Sequence, residues 1–201
     1  MYFLLAFVLN LNFSAFYSTP NAKPKNVTSK YMKKQLINRI LAWTVDFVII
    51  GFYAFLLFIV TQLLFEFSKG EINPYLGQLI GFLTLTLPVV TYSYLTERSK
   101  WKATIGKRLF NLTVDKNELK TTKSVLLRNV LKYLPWELAH TGVHWIIYFE
   151  SVDKEVPIWT WTILIIPQVI VFFYFVSIIF SKGQDSIYDR ISGTRLKLKL
   201  T

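Results

Sequence analysis

ILAWTVDFVIIGFYAFLLFIVTQLLF, residues 40–65, carries one charge, Asp46, in 26 positions. A helix of that length rises roughly 39 Å at ~1.5 Å per residue. The hydrocarbon layer of a bilayer is about 30 Å thick. The stretch therefore reads as a membrane span, and it sets the class of the molecule. Two similar blocks follow at 75–95, with Pro88 inside, and at 158–180, with Pro167 and Gln168 near the middle. Proline is tolerated in a span because neighbouring groups can meet the freed carbonyl. A shorter apolar piece, WELAHTGVHWIIYF (136–149), contains Glu137, His140 and His144.

The whole chain agrees with that class. Of 201 residues, 53% are hydrophobic and 17% aromatic, with a mean hydropathy of +0.38. Disorder is excluded by that composition. The lack of cysteine excludes a disulfide scaffold, a thiol nucleophile and a Cys-based zinc site. The net charge of +11 comes from 23 Lys and Arg against 12 Asp and Glu. Such a balance also occurs in nucleic-acid binders. In a membrane protein it reflects basic residues retained on the cytosolic side.

The distribution of those basic residues gives the topology. Residues 1–39 hold six, 66–75 one, 97–135 ten, 150–157 one and 181–201 five. The alternation of rich and poor predicts four crossings, with both termini cytosolic. The third crossing must then begin in the basic stretch. It is expected at 124–149, kinked at Pro135. Two cytosolic segments alternate with period two. One is Phe110, Leu112 and Val114; the other is Leu196, Leu198 and Leu200. They are expected to pair as a small sheet, the alternative for 194–201 being a basic tail on anionic lipid.

Residues 1–35 read as an extension: an apolar start without a signal peptide's basic region, then the polar linker 20–35. Met32 opens a second plausible start, MKKQLINRILAW. Either translation begins there, or 1–31 includes a short membrane-touching segment. The intact mass of natively expressed protein distinguishes the two.

Ionisable groups inside spans are expensive and are functional candidates by default. Arg39 and Asp46 lie two turns apart on one helix face, ~10 Å along the axis. That is too far for a direct ion pair, so water, an ion or another helix must lie between them. Ala42 leaves a notch between the two. Glu137, His140 and His144 fall within ~60° of one another on a helix. They are expected to bond inside the bundle to Arg128, Lys132 or Asp46, to relay protons, or to bind a metal. KATIGKRLF lacks the upstream glycine and hydroxyl residue of a phosphate loop. The basic residues have no stacking platform for nucleic acid. No nucleophile–base arrangement is visible. No enzyme activity, cofactor or bound metal is assigned.

Three blocks together resemble the RDD family of bacterial membrane proteins, named for an Arg and two Asp. NRILAWTVDF supplies Arg39 and Asp46. KATIGKRLFNLTVDKN supplies Thr104, Gly106, Lys107 and Val114, and LLRN adds Arg128. GQDSIYDRISGTRL supplies Asp189, Gly193 and Thr194, and PWELAH also fits. Asn117 stands where a turn glycine is common, and Asn tolerates that conformation. The resemblance covers roughly 36–200. It implies a multi-pass protein of the bacterial cytoplasmic (inner) membrane. It also carries a proposal of cation/proton antiport. Asp46 would then bind the monovalent cation or proton, with Arg39 favouring its ionised form. Asp189 would pair with Arg39 or Lys107 and lock the tail.

The expected molecule is an all-α membrane protein with four transmembrane helices, N-in and C-in, and a small cytosolic two-stranded β element. It is embedded in the lipid bilayer and transports ions or small solutes. Four helices leave little room for a conduit, so a homo-oligomer is expected. The rival expectation is a non-catalytic factor that binds partner proteins or anionic lipid through its basic cytosolic face.

Overall fold

The computed structural model describes residues 25–65, 73–116 and 123–199. The apolar start of the chain, most of the first loop, Asn117 and Leu200 lie outside the described residues. The chain divides into the units Met1–Tyr31 and Met32–Thr201, and the packing below concerns the second.

Helix α1 (Lys25–Phe65) is longer than the span read from the sequence. Residues 25–35, expected as a linker, are helical. Their Lys and Asn residues suggested a solvated segment, but Gln35 and Arg39 are buried against the tail and extend the helix's contacts. Helix α2 (Pro74–Gly81) starts at Asn73, whose side chain accepts the N–H groups of Tyr75 and Leu76, with proline in the first turn. A π-helical turn (Phe82–Thr86) links it to α3 (Leu87–Arg98). Helix α4 (Ile105–Leu109) leads through Asn111, at φ 53°, into β1 (Leu112–Lys116). Helix α5 (Lys123–Ser151) runs unbroken through Pro135 and packs extensively on α6 (Ile158–Phe180). Helix α7 (Ile187–Ser192) ends on Gly193, whose φ of 65° turns the chain directly into β2 (Thr194–Leu198).

The two strands pair antiparallel, Leu112 opposite Leu198 and Val114 opposite Leu196. This is the expected sheet. Phe110 falls outside β1, at the end of α4. The leucines and Val114 are buried while Arg195, Lys197 and Lys199 are exposed, as period two requires.

Three helical stretches are long and apolar enough to cross a membrane: Tyr31–Leu64, Pro74–Arg98 and Ile158–Phe180. Burial is inverted relative to a water-soluble protein. Arg128 is 1% exposed, whereas Phe180 is 82% exposed. Lipid in place of water around the helices accounts for that inversion.

Pro88, Pro135 and Pro167 lie inside helical stretches, and each frees a carbonyl one turn back. A tyrosine from a neighbouring helix meets the first two. Pro88 has no N–H for the carbonyl of Thr84, which accepts from the Tyr53 hydroxyl at 2.5 Å. Pro135 leaves the carbonyl of Leu131, which accepts from the Tyr174 hydroxyl at 3.1 Å. Tyr174→Phe should lower stability by about 1 kcal/mol, read as thermal unfolding in detergent. Tyr148→Phe, whose hydroxyl has no such partner among the described residues, serves as the neutral comparison.

Candidate functional site

At the sheet end of the helices, six charged side chains form one buried chain: Arg39, Asp189, Arg128, Glu97, Lys107 and Asp46. Three are cations and three are anions, so the chain is electrically balanced. They come from α1, α3, α4, α5 and α7.

Asp189 lies at the crossing point and is fully buried. Its Oδ2 accepts from Arg39 Nη2, from Ser186 N at 2.9 Å and from Ser186 Oγ at 2.8 Å. Its Oδ1 accepts from Arg128 Nε at 2.7 Å. The Ser186 contacts belong to a reciprocal cap that starts α7, so a local helix signal also orients the carboxylate. Burial acts to raise the proton affinity of this carboxyl. Arg128 and then Arg39 overcome that effect and hold it well below the usual carboxylate range. Arg39 further donates to the carbonyls of Gly183 and Gln184 at 3.2 and 3.0 Å. Gln35 donates to Leu196 O at 2.7 Å. Helix α1 therefore grips the tail through side chains.

Arg128 Nη1 donates to Glu97 Oε1 at 2.5 Å, and Lys107 Nζ reaches the same oxygen at 2.7 Å. Asn129 satisfies Oε2 at 3.0 Å. Asp46 is held differently. Its Oδ2 accepts from Thr104 Oγ1 at 2.5 Å and its Oδ1 from the Gly106 N–H at 2.9 Å. Lys107 stands 3.8 Å from Oδ2. A Cβ on Gly106 would run into the carbonyl of Ala42 and come within 2.8 Å of Asp46 Oδ1. Glycine and the small Ala42 together let a backbone N–H reach the carboxylate.

Beside this chain lies a cavity of about 410 Å³. Arg39, Asp46, Lys107, Arg128 and Lys132 border it at the sheet end, and Trp43, Phe47, Trp136 and Phe175 supply apolar wall. Asp46 is the only carboxylate on that wall among the described residues.

A second polar strip runs along α5 where it faces α2 and the π turn. Glu137 accepts from Thr86 Oγ1 at 2.5 Å, and Thr86 also borders the cavity. Gln78 donates to Thr141 at 2.7 Å. The His140 and His144 rings lie edge to face, 4.6 Å apart. Their Nδ1 and Nε2 respectively are buried without a hydrogen-bond partner among the described residues. Gly77 and Gly81 make room for the two rings.

The structure thus separates Arg39 from Asp46. Arg39 binds Asp189, one of the two partners expected for that aspartate, and Asp46 binds Thr104 and Gly106. Glu137 takes Thr86 rather than Arg128, Lys132 or Asp46: the two cations lie nearer the start of α5, and Asp46 on α1 is held by Thr104 and Gly106. No group of three His, Asp or Glu suited to a metal occurs among the described residues. Glu97 escaped sequence reading. It sits just past the assigned span 75–95, next to Arg98, and looked like a solvated loop charge. A carboxylate one turn beyond an apolar block was its only signal.

The chain belongs to the RDD family, whose model matches residues 34–193. Comparison with curated proteins and with solved structures returns no match.

Glu97→Gln removes the shared anion of two buried cations and should destabilise the protein by about 3–5 kcal/mol. Glu150→Gln, at an exposed site, should change little. The lowered proton affinity of Asp189 fixes the sign of the pH effect. Its stabilisation is fully present above the unfolded value near ~4 and is lost as pH falls through the folded value. Melting in detergent should therefore be insensitive to this group from about pH 7 to 5 and should decline below about pH 4. Asp189→Asn should lose that acid decline and be less stable at neutral pH.

Proposed function

We propose that this RDD-family protein exchanges protons for monovalent cations across the bacterial cytoplasmic (inner) membrane, with Asp46 as the exchanging carboxylate. One observation carries the reading: of the three carboxylates in the buried chain, Asp46 alone borders the cavity. Its cation is also the most distant. Lys107 stands 3.8 Å away, while Glu97 and Asp189 hold cations at 2.7 Å or closer. When Asp46 takes a proton, Lys107 keeps Glu97 as its partner and the architecture stays paired. An arriving cation needs only to compete with a loose ion pair.

The polar strip supplies a route onward from the cavity. Thr86, Glu137, His140 and His144 follow one another along the α5 interface, and imidazoles with unpartnered nitrogens suit proton transfer. Four crossings, with both termini cytosolic, fit this arrangement. Helix α5 spans 29 residues, or roughly 43 Å, and lies along α6. Its charged groups face inward, which lowers the apparent apolarity of a genuine span. A homo-oligomer would complete a conduit that four helices enclose only in part.

A second reading rests on the exposed Lys33, Lys34, Lys100, Lys102 and Arg108 at the sheet end. These residues suit binding of partner proteins or anionic lipid, with Asp46 then purely architectural.

Proton flux in proteoliposomes, driven by pulses of Na⁺, K⁺ or Li⁺, tests the first reading. Asp46→Asn should fold and reduce cation-dependent flux at least about tenfold, equivalent to ~1.4 kcal/mol. Absence of flux from folded, inserted parent protein would leave the second reading. Single cysteines test the topology in a chain that has none. Glu155→Cys should react with an impermeant maleimide on intact cells, and Lys102→Cys only after permeabilisation. The opposite pattern would refute the four-crossing arrangement.

A further inference from the structure

We propose that the cavity beside the ion chain binds an anionic phospholipid, with the lipid phosphate on Lys132 and an acyl chain along the apolar wall. The inference starts from a cation with donors left over. Arg39, Lys107 and Arg128 border the cavity, and each already pairs with a buried carboxylate. Lys132 borders it too and makes no ion pair among the described residues. Its Nζ donates to the Tyr133 hydroxyl at 3.0 Å and sits 4.6 Å from that ring's centre. An ammonium has three donors, so two remain for a ligand. Glu97 and Asp46 act on this ammonium through space without taking its donors, and an anion from outside the chain can fill the two that remain.

The walls decide the kind of anion. They are largely apolar, and the volume of about 410 Å³ falls in the range of organic ligand sites. A bare inorganic anion would lose its hydration and leave those walls unfilled. An amphiphile satisfies both parts. Access points the same way. Trp43, Phe47 and Trp136 line the cavity and are also exposed on the outer face of the helices, where acyl chains lie. Basic pockets between membrane helices near the headgroup level are established sites for anionic lipid heads. This site does not depend on exchange at Asp46. It differs from the exposed basic face because its cation opens into a cavity.

The test uses the full chain in detergent. Phosphatidylglycerol, phosphatidylcholine and inorganic phosphate are added separately, with thermal shift and native mass spectrometry as readouts. Phosphatidylglycerol should raise the melting temperature and remain bound as one or a few molecules. Phosphatidylcholine and inorganic phosphate should not. Lys132→Gln should weaken phosphatidylglycerol binding about tenfold, Lys132→Arg should retain it, and Lys154→Gln, at an exposed site outside the basic face, should leave it unchanged. Without lipid, Lys132→Gln should still melt cooperatively, which separates loss of binding from loss of folding. Ala139→Phe, which fills the wall and spares the cation, should also exclude the lipid. Equal binding of both lipids, an equal shift from phosphate alone, or undiminished binding by Lys132→Gln would each overturn the proposal. Flux is not a readout here, so loss of this site and loss of the exchange reading remain separate results.

Discussion

Asp189 accepts from two guanidiniums, one from the first long helix and one from the third, while its own position is set by the short helix in the tail. Lipid cannot solvate charge, so each ionised group that enters the bundle needs a partner. The remaining contacts follow from that requirement. Glu97 exists between Arg128 and Lys107 because both cations are buried. Gly106 is small because its N–H must reach Asp46. The sheet is where it is because Gly193 turns the chain immediately after the helix that carries Asp189.

The same principle governs the uncharged backbone. Pro88 and Pro135 each leave a carbonyl without its helical donor, and Tyr53 and Tyr174 reach across to supply one. A tyrosine donor opposite a helix proline does for the peptide group what Asp189 does for arginine. Polar pairing between helices is the organising force here, since apolar side chains gain little by leaving lipid for each other.

Much of this was legible beforehand. Apolar blocks located the helices because membrane spans have few other sequence solutions. The period-two leucines located the sheet, and the Arg39–Asp189 pair was one of two partners expected for that aspartate. The start of the first helix was not legible, because Lys and Asn before residue 36 resemble a linker until their burial against the tail is known. Glu97 was hidden by its neighbour Arg98, which made an interior carboxylate look like part of a solvated stretch. The spacing already ruled out a direct Arg39–Asp46 pair, but the partners of Asp46 were out of reach for another reason. Shared helix face limits which groups are near, but only the arrival of other elements decides which of them pair. The π turn at 82–86 has no compositional signature, and it is that turn which precedes the Thr86–Glu137 contact.

The pairing of Arg39 with Asp189 joins positions 150 residues apart. Synthesis at ~5–20 residues per second puts about 8–30 s between them. During that interval the nascent first helix holds a guanidinium whose partner has not been made. Its place just before the apolar stretch 40–65 lets the side chain reach toward the headgroups and wait. Emergence of residues 183–189 then closes several contacts together. Chains with and without Asp189 differ in buried charge rather than in apolar content, so the stretch around Asp189 is the one that certifies what came before it.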